Sequence, residues 1–203
     1  MFVGVDGCKK GWVKVGLTEG DKWEVEIFPD INSLWNESEQ ASQILIDIPI
    51  GLRESGFEAR RCATKAREML GPKRGSSVFP APCRRALDAS NYEQACQINK
   101  QMTGRKLSLQ TWNIVPKIRE VDNLLQNDEL ARSHIRETHP EVCIWALAGG
   151  TPMVHSKKKK VGISERLEIL KSEYPQTEEV LNYALNRWSR QDLAPDDIFD
   201  ALV

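Results

Sequence analysis

The first 28 residues contain three short apolar runs separated by turn-rich segments. The runs are FVGV, WVKVGL and WEVEIF, and the segments DGCKKG and TEGDK lie between them. In the third run Trp23, Val25 and Ile27 alternate with charged residues, which is typical of a strand with one face in water. The pattern predicts a meander of three strands.

A fourth apolar run, ILIDIPIGL, shows no alternation, as in a strand that is covered on both faces. The segment PDINSLWNESEQ precedes it and has short helical spacing, with Asp30 or Asn32 as N-cap. Asp47 interrupts the run, and Pro49 and Gly51 end it soon afterwards. We therefore expect Asp47 near the carboxyl end of a buried strand, where open α/β sheets keep their sites.

The middle of the chain is predicted to be a largely helical, basic insertion over residues ~53–130, within a single domain of residues 1–203. FEARRCATKAREML is amphipathic and should stop at Gly71-Pro72. GPKRGSSVFPAPCRR is dense in Gly, Pro and Ser and predicts a loop, and YEQACQINKQMTG predicts a helix. SLQTWNIVPKIREVDNLLQ predicts another helix, with Ser108 as N-cap and Pro116 as a kink or a break.

The last third predicts one more strand and several helices. SHIRETHPEVCIWALAGG indicates a short strand, a turn at His139-Pro140, and a helix from Glu141. ISERLEILKSEY predicts an amphipathic helix with Ser164 as N-cap, and LAPDDIFDALV predicts a helix from about Pro195.

Composition places the chain among ordinary globular proteins. It has 203 residues, 40% of them hydrophobic, and a net charge of -1, which excludes disordered and membrane classes. Residues 53–106 nevertheless hold twelve Lys and Arg against five Asp and Glu. This basic middle could face a polyanion, or it could be a solvated helical surface.

The cysteines indicate a reducing compartment. Five are present, widely spaced and without a C-x-x-C pair, so we interpret them as reduced thiols of a cytoplasmic protein. We expect no signal peptide and no membrane span.

Acidic residues in apolar surroundings are the main candidate chemistry. Asp6 and Asp47 interrupt two apolar strands, and Asp197 and Asp200 share one face of the last predicted helix. If these elements pack together, bare carboxylates would repel one another, and a divalent cation would relieve the repulsion. Oxygen ligands without Cys favour Mg²⁺ or Mn²⁺. The alternatives are a turn role for Asp6 and a helix-dipole role for Asp196 and Asp197.

Two further groups are weaker candidates. His139 and Glu141 could act at the rim of the sheet as a base, phosphate donor or ligand, or could simply shape a turn and a helix start. The predicted loop GPKRGSSVFPAPCRR offers hydrogen-bond donors suited to phosphate oxygens, although it lacks the residue order of a P-loop. The lysine run 157–160 is either a contact for a polyanion or solvated surface. The loop donors are Lys73, Arg74, Ser76, Ser77, Arg84 and Arg85.

A series of motifs carries a family resemblance along nearly the whole chain. GVDGCKKGWV, IDIPIGL, GPKRGSSVFPAP, SLQTWNIVPKIREVD, ETHPEV, SKKKKVGISER and DDIFDAL resemble the motif series of the family DUF429, which is described as a predicted nuclease of the ribonuclease H-like fold. The resemblance implies a five-stranded mixed sheet, three antiparallel strands followed by two parallel ones, with helices on both faces. By similarity to the RuvC-type resolvases, it implies metal binding by Asp6, Asp47, Asp197 and Asp200.

The sequence therefore predicts a divalent-metal-dependent nuclease that hydrolyses phosphodiesters of nucleic acid by a two-metal mechanism. The alternative is a non-catalytic module of the same fold that binds nucleic acid or protein. A third class, an actin-like phosphotransferase, needs two such domains, for which 203 residues are too few. The form of the nucleic acid and the choice between monomer and homodimer stay open.

Overall fold

The computed structural model describes residues 1–20, 22–157 and 159–203. Its described part contains a five-stranded mixed sheet with the strand order β3-β2-β1-β4-β5. The strands are β1 Phe2–Cys8, β2 Gly11–Thr18, β3 Lys22–Phe28, β4 Gln43–Ile46 and β5 Ile135–Glu137.

The strand pairing confirms the predicted architecture. β1 pairs antiparallel with β2, and β2 pairs antiparallel with β3. β4 lies parallel to both β1 and β5, with Ile44 opposite Val3 on one side and Ile135 on the other. The protein is thus an α/β protein with three antiparallel strands followed by two parallel ones.

The described residues form two compact units, residues 1–48 with 124–203 and residues 49–123. The second range overlaps the predicted basic insertion, and the single-domain description stays a prediction. Helices outside the sheet are α1 Ile31–Asn36, α2 Arg61–Arg74, α3 Tyr92–Thr103, α4 Leu109–Asn127, α5 Glu129–His134, α6 Pro140–Leu147, α7 Lys160–Glu173, α8 Thr177–Arg187 and α9 Pro195–Leu202.

Local sequence signals explain where several helices begin and end. The side chain of Asp30 accepts a hydrogen bond of 2.9 Å from the backbone N–H of Ser33, which makes Asp30 the N-cap of α1. Ser108 accepts a hydrogen bond of 3.1 Å from the N–H of Thr111 at the start of α4. Pro116 lies inside α4 and does not end it.

Some predicted boundaries were wrong. α2 begins at Arg61 rather than at 57, and Gly71 has φ of 63°, so the regular helix does end there as predicted. The predicted loop contains two short 3-10 helices, Gly75–Ser77 and Arg84–Asp88. α7 begins at Lys160, so Ser164 lies inside the helix and is not its N-cap.

The start of α7 depends on tertiary contacts that a local pattern does not reveal. A Cβ atom at Gly162 would overlap the carbonyl oxygen of Ser156, so glycine allows the preceding loop to lie directly against the first turn. α8 was not predicted, and its buried residues Val180, Leu181 and Ala184 form a short apolar face.

One hydrophobic core of the first unit lies between α6–α9 and one face of the sheet, and the other face is also buried, as at Val5 and Ile46. Val13, Val15 and Val25 pack in this core with Ile198 and Phe199 of α9. Because successive strand residues point to opposite faces, Trp12 and Lys14 belong to the other face. No helix in the described ranges is long and apolar enough to cross a membrane.

Candidate functional site

Asp6 lies inside β1, on the face of the sheet that α9 covers. It stands opposite Val13, which packs against the α9 side of the core, and paired strand residues point to the same face. β1 continues to Cys8, so Asp6 is a strand residue rather than a turn residue. Its Oδ1 accepts a hydrogen bond of 2.7 Å from the N–H of Gly7.

Gly4 allows α9 to approach β1 closely. A Cβ atom at this position would overlap the carbonyl oxygen of Ala201 in α9. Only glycine permits this backbone contact, and Asp200 immediately precedes Ala201. Gly4 therefore helps to place the carboxylate of Asp200 beside that of Asp6.

Asp47 directly follows β4 and continues its parallel pairing with β1. Its N–H donates a hydrogen bond of 3.3 Å to the carbonyl oxygen of Val5. Asp47 thus lies at the carboxyl end of β4, as predicted, next to the strand position of Asp6.

The three aspartates are close enough to change one another's ionisation. Burial raises the pKa of Asp6 well above its usual range, and the negative charges of Asp200 and Asp47 raise it further. Burial, followed by repulsion from Asp200, raises the pKa of Asp47 to about 7. Burial also raises the pKa of Asp200. The structure therefore brings Asp6, Asp47 and Asp200 together, and we call these three residues the acidic cluster.

Asp197 has a structural contact of its own. Its Oδ2 accepts a hydrogen bond of 2.9 Å from the N–H of Ala194, which closes the first turn of α9. Burial, opposed by this hydrogen bond, raises the pKa of Asp197 to about 6. Asp197 therefore has a structural role at the start of α9, in addition to its predicted role as a metal ligand.

Lys157 belongs to the site although the sequence assigned no individual role to it. Its Nζ forms an ion pair with Oδ2 of Asp200, and its side chain is 33% exposed. Desolvation lowers the pKa of Lys157, but attraction to Asp200 and Asp6 outweighs this and raises the pKa above its usual value. The ammonium group therefore offsets part of the negative charge of the acidic cluster.

The loop before Lys157 is held by α7. The carboxylate of Glu165 accepts hydrogen bonds from the N–H groups of Val154, at 2.9 Å, and His155, at 3.1 Å. Arg166 donates a hydrogen bond of 3.1 Å to the carbonyl oxygen of His155. These contacts fix the backbone two residues before Lys157. A local sequence pattern cannot distinguish Lys157 from the other three lysines of the run 157–160. Lys158 lies outside the described residues.

The acidic cluster matches the donor chemistry of a hard divalent cation. The polar side-chain atoms of its three residues are all carboxylate oxygens, the donors that Mg²⁺ and Mn²⁺ prefer. Among the described residues, no three His, Cys, Asp or Glu side chains are arranged as a ready metal site.

His139 and Glu141 lie at the start of α6. His139 is the residue before the helix, and Glu141 is in its first turn. Glu141 forms an ion pair with Arg166, which is only 2% exposed. Repulsion from Glu141 is one cause of the raised pKa of Asp200. Glu141 thus has a clear structural partner, and the predicted catalytic roles of both residues stay predictions.

The predicted phosphate-binding residues all lie in the second unit. Arg84 is engaged by two carboxylates, with Nε 2.8 Å from Asp122 and Nη1 2.6 Å from Glu54. Ser77 donates a hydrogen bond of 2.7 Å to the carbonyl oxygen of Arg74. The side chains that remain exposed to solvent in this set are those of Lys73, Ser76 and Arg85.

The sheet order and the acidic cluster at its centre define an α/β protein with a carboxylate site between two adjacent strands and the last helix. Residues 4–203 match the family described as protein of unknown function, DUF429. The chain belongs to this family, as its motif series predicted. No curated protein and no solved structure matches it.

Proposed function

We propose that the protein is a divalent-metal-dependent nuclease that hydrolyses phosphodiester bonds of nucleic acid. The observation that carries this proposal is the acidic cluster, in which burial raises the pKa of carboxylates from β1, the end of β4 and α9, and the charge of Asp200 raises the pKa of Asp6 and Asp47 further. Groups perturbed by burial together with specific charged partners are typical of functional sites.

Asp6, Asp47 and Asp200 would hold Mg²⁺ or Mn²⁺, with Asp197 as a further candidate ligand. When bound, such ions supply an activated water and stabilise the leaving oxygen of a phosphodiester. The protein's own contribution is to hold the carboxylates in place through the close contact of Gly4 with α9. Lys157 holds a positive charge beside Asp200. With metal bound to the carboxylates, its ammonium group would be suited to bind a phosphate oxygen of the substrate.

A cleavage assay tests this function. Wild type, Asp47→Asn and the control Asp88→Asn, which changes an exposed acid of the second unit, are incubated with Mg²⁺ or Mn²⁺ and single-stranded, duplex, hybrid and branched nucleic acids. We expect cleavage of at least one substrate, slowed about 100-fold or more in Asp47→Asn and unchanged in Asp88→Asn. If no substrate is cut, or if Asp47→Asn cuts as fast as wild type, the proposal fails.

The second candidate function is a non-catalytic module that binds nucleic acid or protein. One observation favours it: Lys157 already offsets charge in the acidic cluster, so the carboxylates have a cation without metal. This function predicts salt-dependent binding without turnover in the same assay.

We place the protein in the cytoplasm. All five cysteines are free thiols, and they are too widely spaced to suggest a disulfide framework. The proposed partner is nucleic acid, with no membrane contact.

A further inference from the structure

The second unit contains a cavity that none of the predicted site residues explains. Its volume is about 160 Å³, and it lies between residues 53–67, 80–83 and 99–108. An apolar cavity of about 150 Å³ is large enough to hold one benzene ring. The space thus suits a single planar ring.

Phe57 presents an exposed aromatic face at this cavity. Its side chain is 75% exposed, which is unusual for a phenylalanine without a partner. The ring lies against the backbone of Gly104, because a Cβ atom there would be 2.7 Å from Cδ1 of Phe57. The N–H of Gly56 donates a hydrogen bond of 2.9 Å to the carbonyl oxygen of Met102, which anchors the segment. Phe57 is therefore a supported platform on which another ring can stack.

Basic side chains surround the platform. Five line the cavity against one acid, Glu58, and they are Arg53, Arg60, Arg67, Arg105 and Lys106. Three of these guanidinium groups donate hydrogen bonds to backbone carbonyl oxygens, which orient them. The hydrogen bonds run from Arg53 to Glu58 at 3.0 Å, from Arg60 to Ile50 at 2.5 Å, and from Arg67 to Val78 at 2.9 Å.

A buried amide holds the walls of the cavity together. Asn99, which is 4% exposed, accepts a hydrogen bond of 2.8 Å from the N–H of Cys83 and donates one of 2.7 Å to the carbonyl oxygen of Arg105. The walls of the cavity are thus already ordered by the second unit, so a ligand would bind without a large loss of conformational entropy in the protein.

We propose that this cavity binds one nucleotide of single-stranded nucleic acid, with the base stacked on Phe57 and the adjoining phosphates held by the arginines. The combination of a stacking ring with several cations distinguishes a nucleotide from an acidic peptide, which has charge but no matching ring. The site extends the proposed function by naming the substrate class as single-stranded. It also stands without cleavage, since binding in the second unit needs no metal.

The test is a fluorescence anisotropy titration of a labelled ten-residue oligothymidylate in EDTA, which separates binding from any cleavage. We expect Phe57→Ala to weaken binding about 5- to 150-fold, the range of one lost base stack. Arg105→Ala should lower the slope of log Kd against log salt concentration by about 0.7. The matched controls are Phe2→Ala, another exposed phenylalanine, and Arg61→Ala, an exposed arginine outside the cavity; both should stay within about twofold of wild type.

Three results would overturn the proposal. The first is that Phe57→Ala binds the oligonucleotide within twofold of wild type. This variant should fold, because the side chain of Phe57 is exposed, and a thermal melt checks that it does. A decaglutamate peptide could displace the oligonucleotide as well as unlabelled oligothymidylate does, which would assign the site to acidic peptides. Thymidine monophosphate could compete at the same concentration as the oligonucleotide, which would assign it to free nucleotides.

Discussion

At the scale of single residues, the acidic cluster is a balance between like charges and one lysine. Asp6, Asp47 and Asp200 repel one another in partly desolvated surroundings, and the ammonium group of Lys157 opposes that repulsion. As whole residues Asp6 and Asp47 are half-buried, whereas Asp200 is buried. The site is therefore costly to the folded protein when no cation other than Lys157 is present.

The pKa of Asp47 gives this cost a definite dependence on pH. Because the pKa rises from 3.8 to about 7 on folding, the folded protein binds more protons than the unfolded chain between about pH 4 and 7. Stability therefore falls as pH rises through that range. Asp47→Asn should be more stable than wild type at pH 8 in EDTA, by the order of 1 to 4 kcal/mol, with the difference shrinking towards pH 4. Urea denaturation at both pH values measures this, and equal stability of the two proteins at pH 8 would contradict it.

Replacing Lys157 should have the opposite effect. Lys157→Met leaves Asp200 without its ion-pair partner, so we expect a loss of about 1 to 3 kcal/mol at pH 8, moderated by the partial exposure of the lysine. Added Mn²⁺ should restore much of this stability by supplying another cation. Lys160→Met, at an exposed lysine of the same run, is the control for thermal melts with and without Mn²⁺. A Lys157→Met melt unaffected by Mn²⁺ would count against the site.

Sequence reasoning found the acids because burial makes an aspartate in an apolar strand conspicuous. Asp6 and Asp47 interrupt apolar runs that should otherwise be buried. Asp197 and Asp200 are three residues apart, so they lie on the same face of a helix. Lys157 escaped the same reasoning, since nothing local distinguishes it within a lysine run. Its position depends on Glu165 and Arg166, which are distant in sequence from the strands that carry the acids.

At the scale of elements, the close contact between β1 and α9 assembles the site. Most elements could be predicted from periodicity and caps, because these are local signals, whereas the sheet order came from the family resemblance. The approach of α9 to Gly4 could not be predicted, since it depends on how two elements at opposite ends of the chain pack. Boundaries failed where tertiary contacts extended a helix, as at Lys160.

Gly4→Ala tests this contact directly. The added methyl group would overlap the carbonyl oxygen of Ala201, so α9 must shift, and we expect a loss of about 1 to 3 kcal/mol in urea denaturation. Gly16→Ala on the neighbouring β2 is the control, because its closest contacts are flexible side-chain atoms of Glu24 and Met1. A Gly4→Ala protein as stable as Gly16→Ala would show that the close contact is not needed.

At the scale of the whole molecule, charge divides the chain between its two units. Residues 49–123 hold fourteen Lys and Arg against seven Asp and Glu, and with a total of -1 the remaining residues carry about -8. The basic unit contains the nucleotide cavity, and the acidic unit contains the carboxylates. This division suits a protein in which one unit binds a polyanion and the other holds metal.

The most direct test of the central claim is anomalous scattering from crystals soaked in Mn²⁺. We expect an anomalous peak bounded by the carboxylates of Asp6, Asp47 and Asp200, with Lys157 moved away from Asp200, and no peak in crystals of Asp47→Asn treated in the same way. Crystals of wild type with no peak at these residues, and with Lys157 still paired to Asp200, would contradict the account.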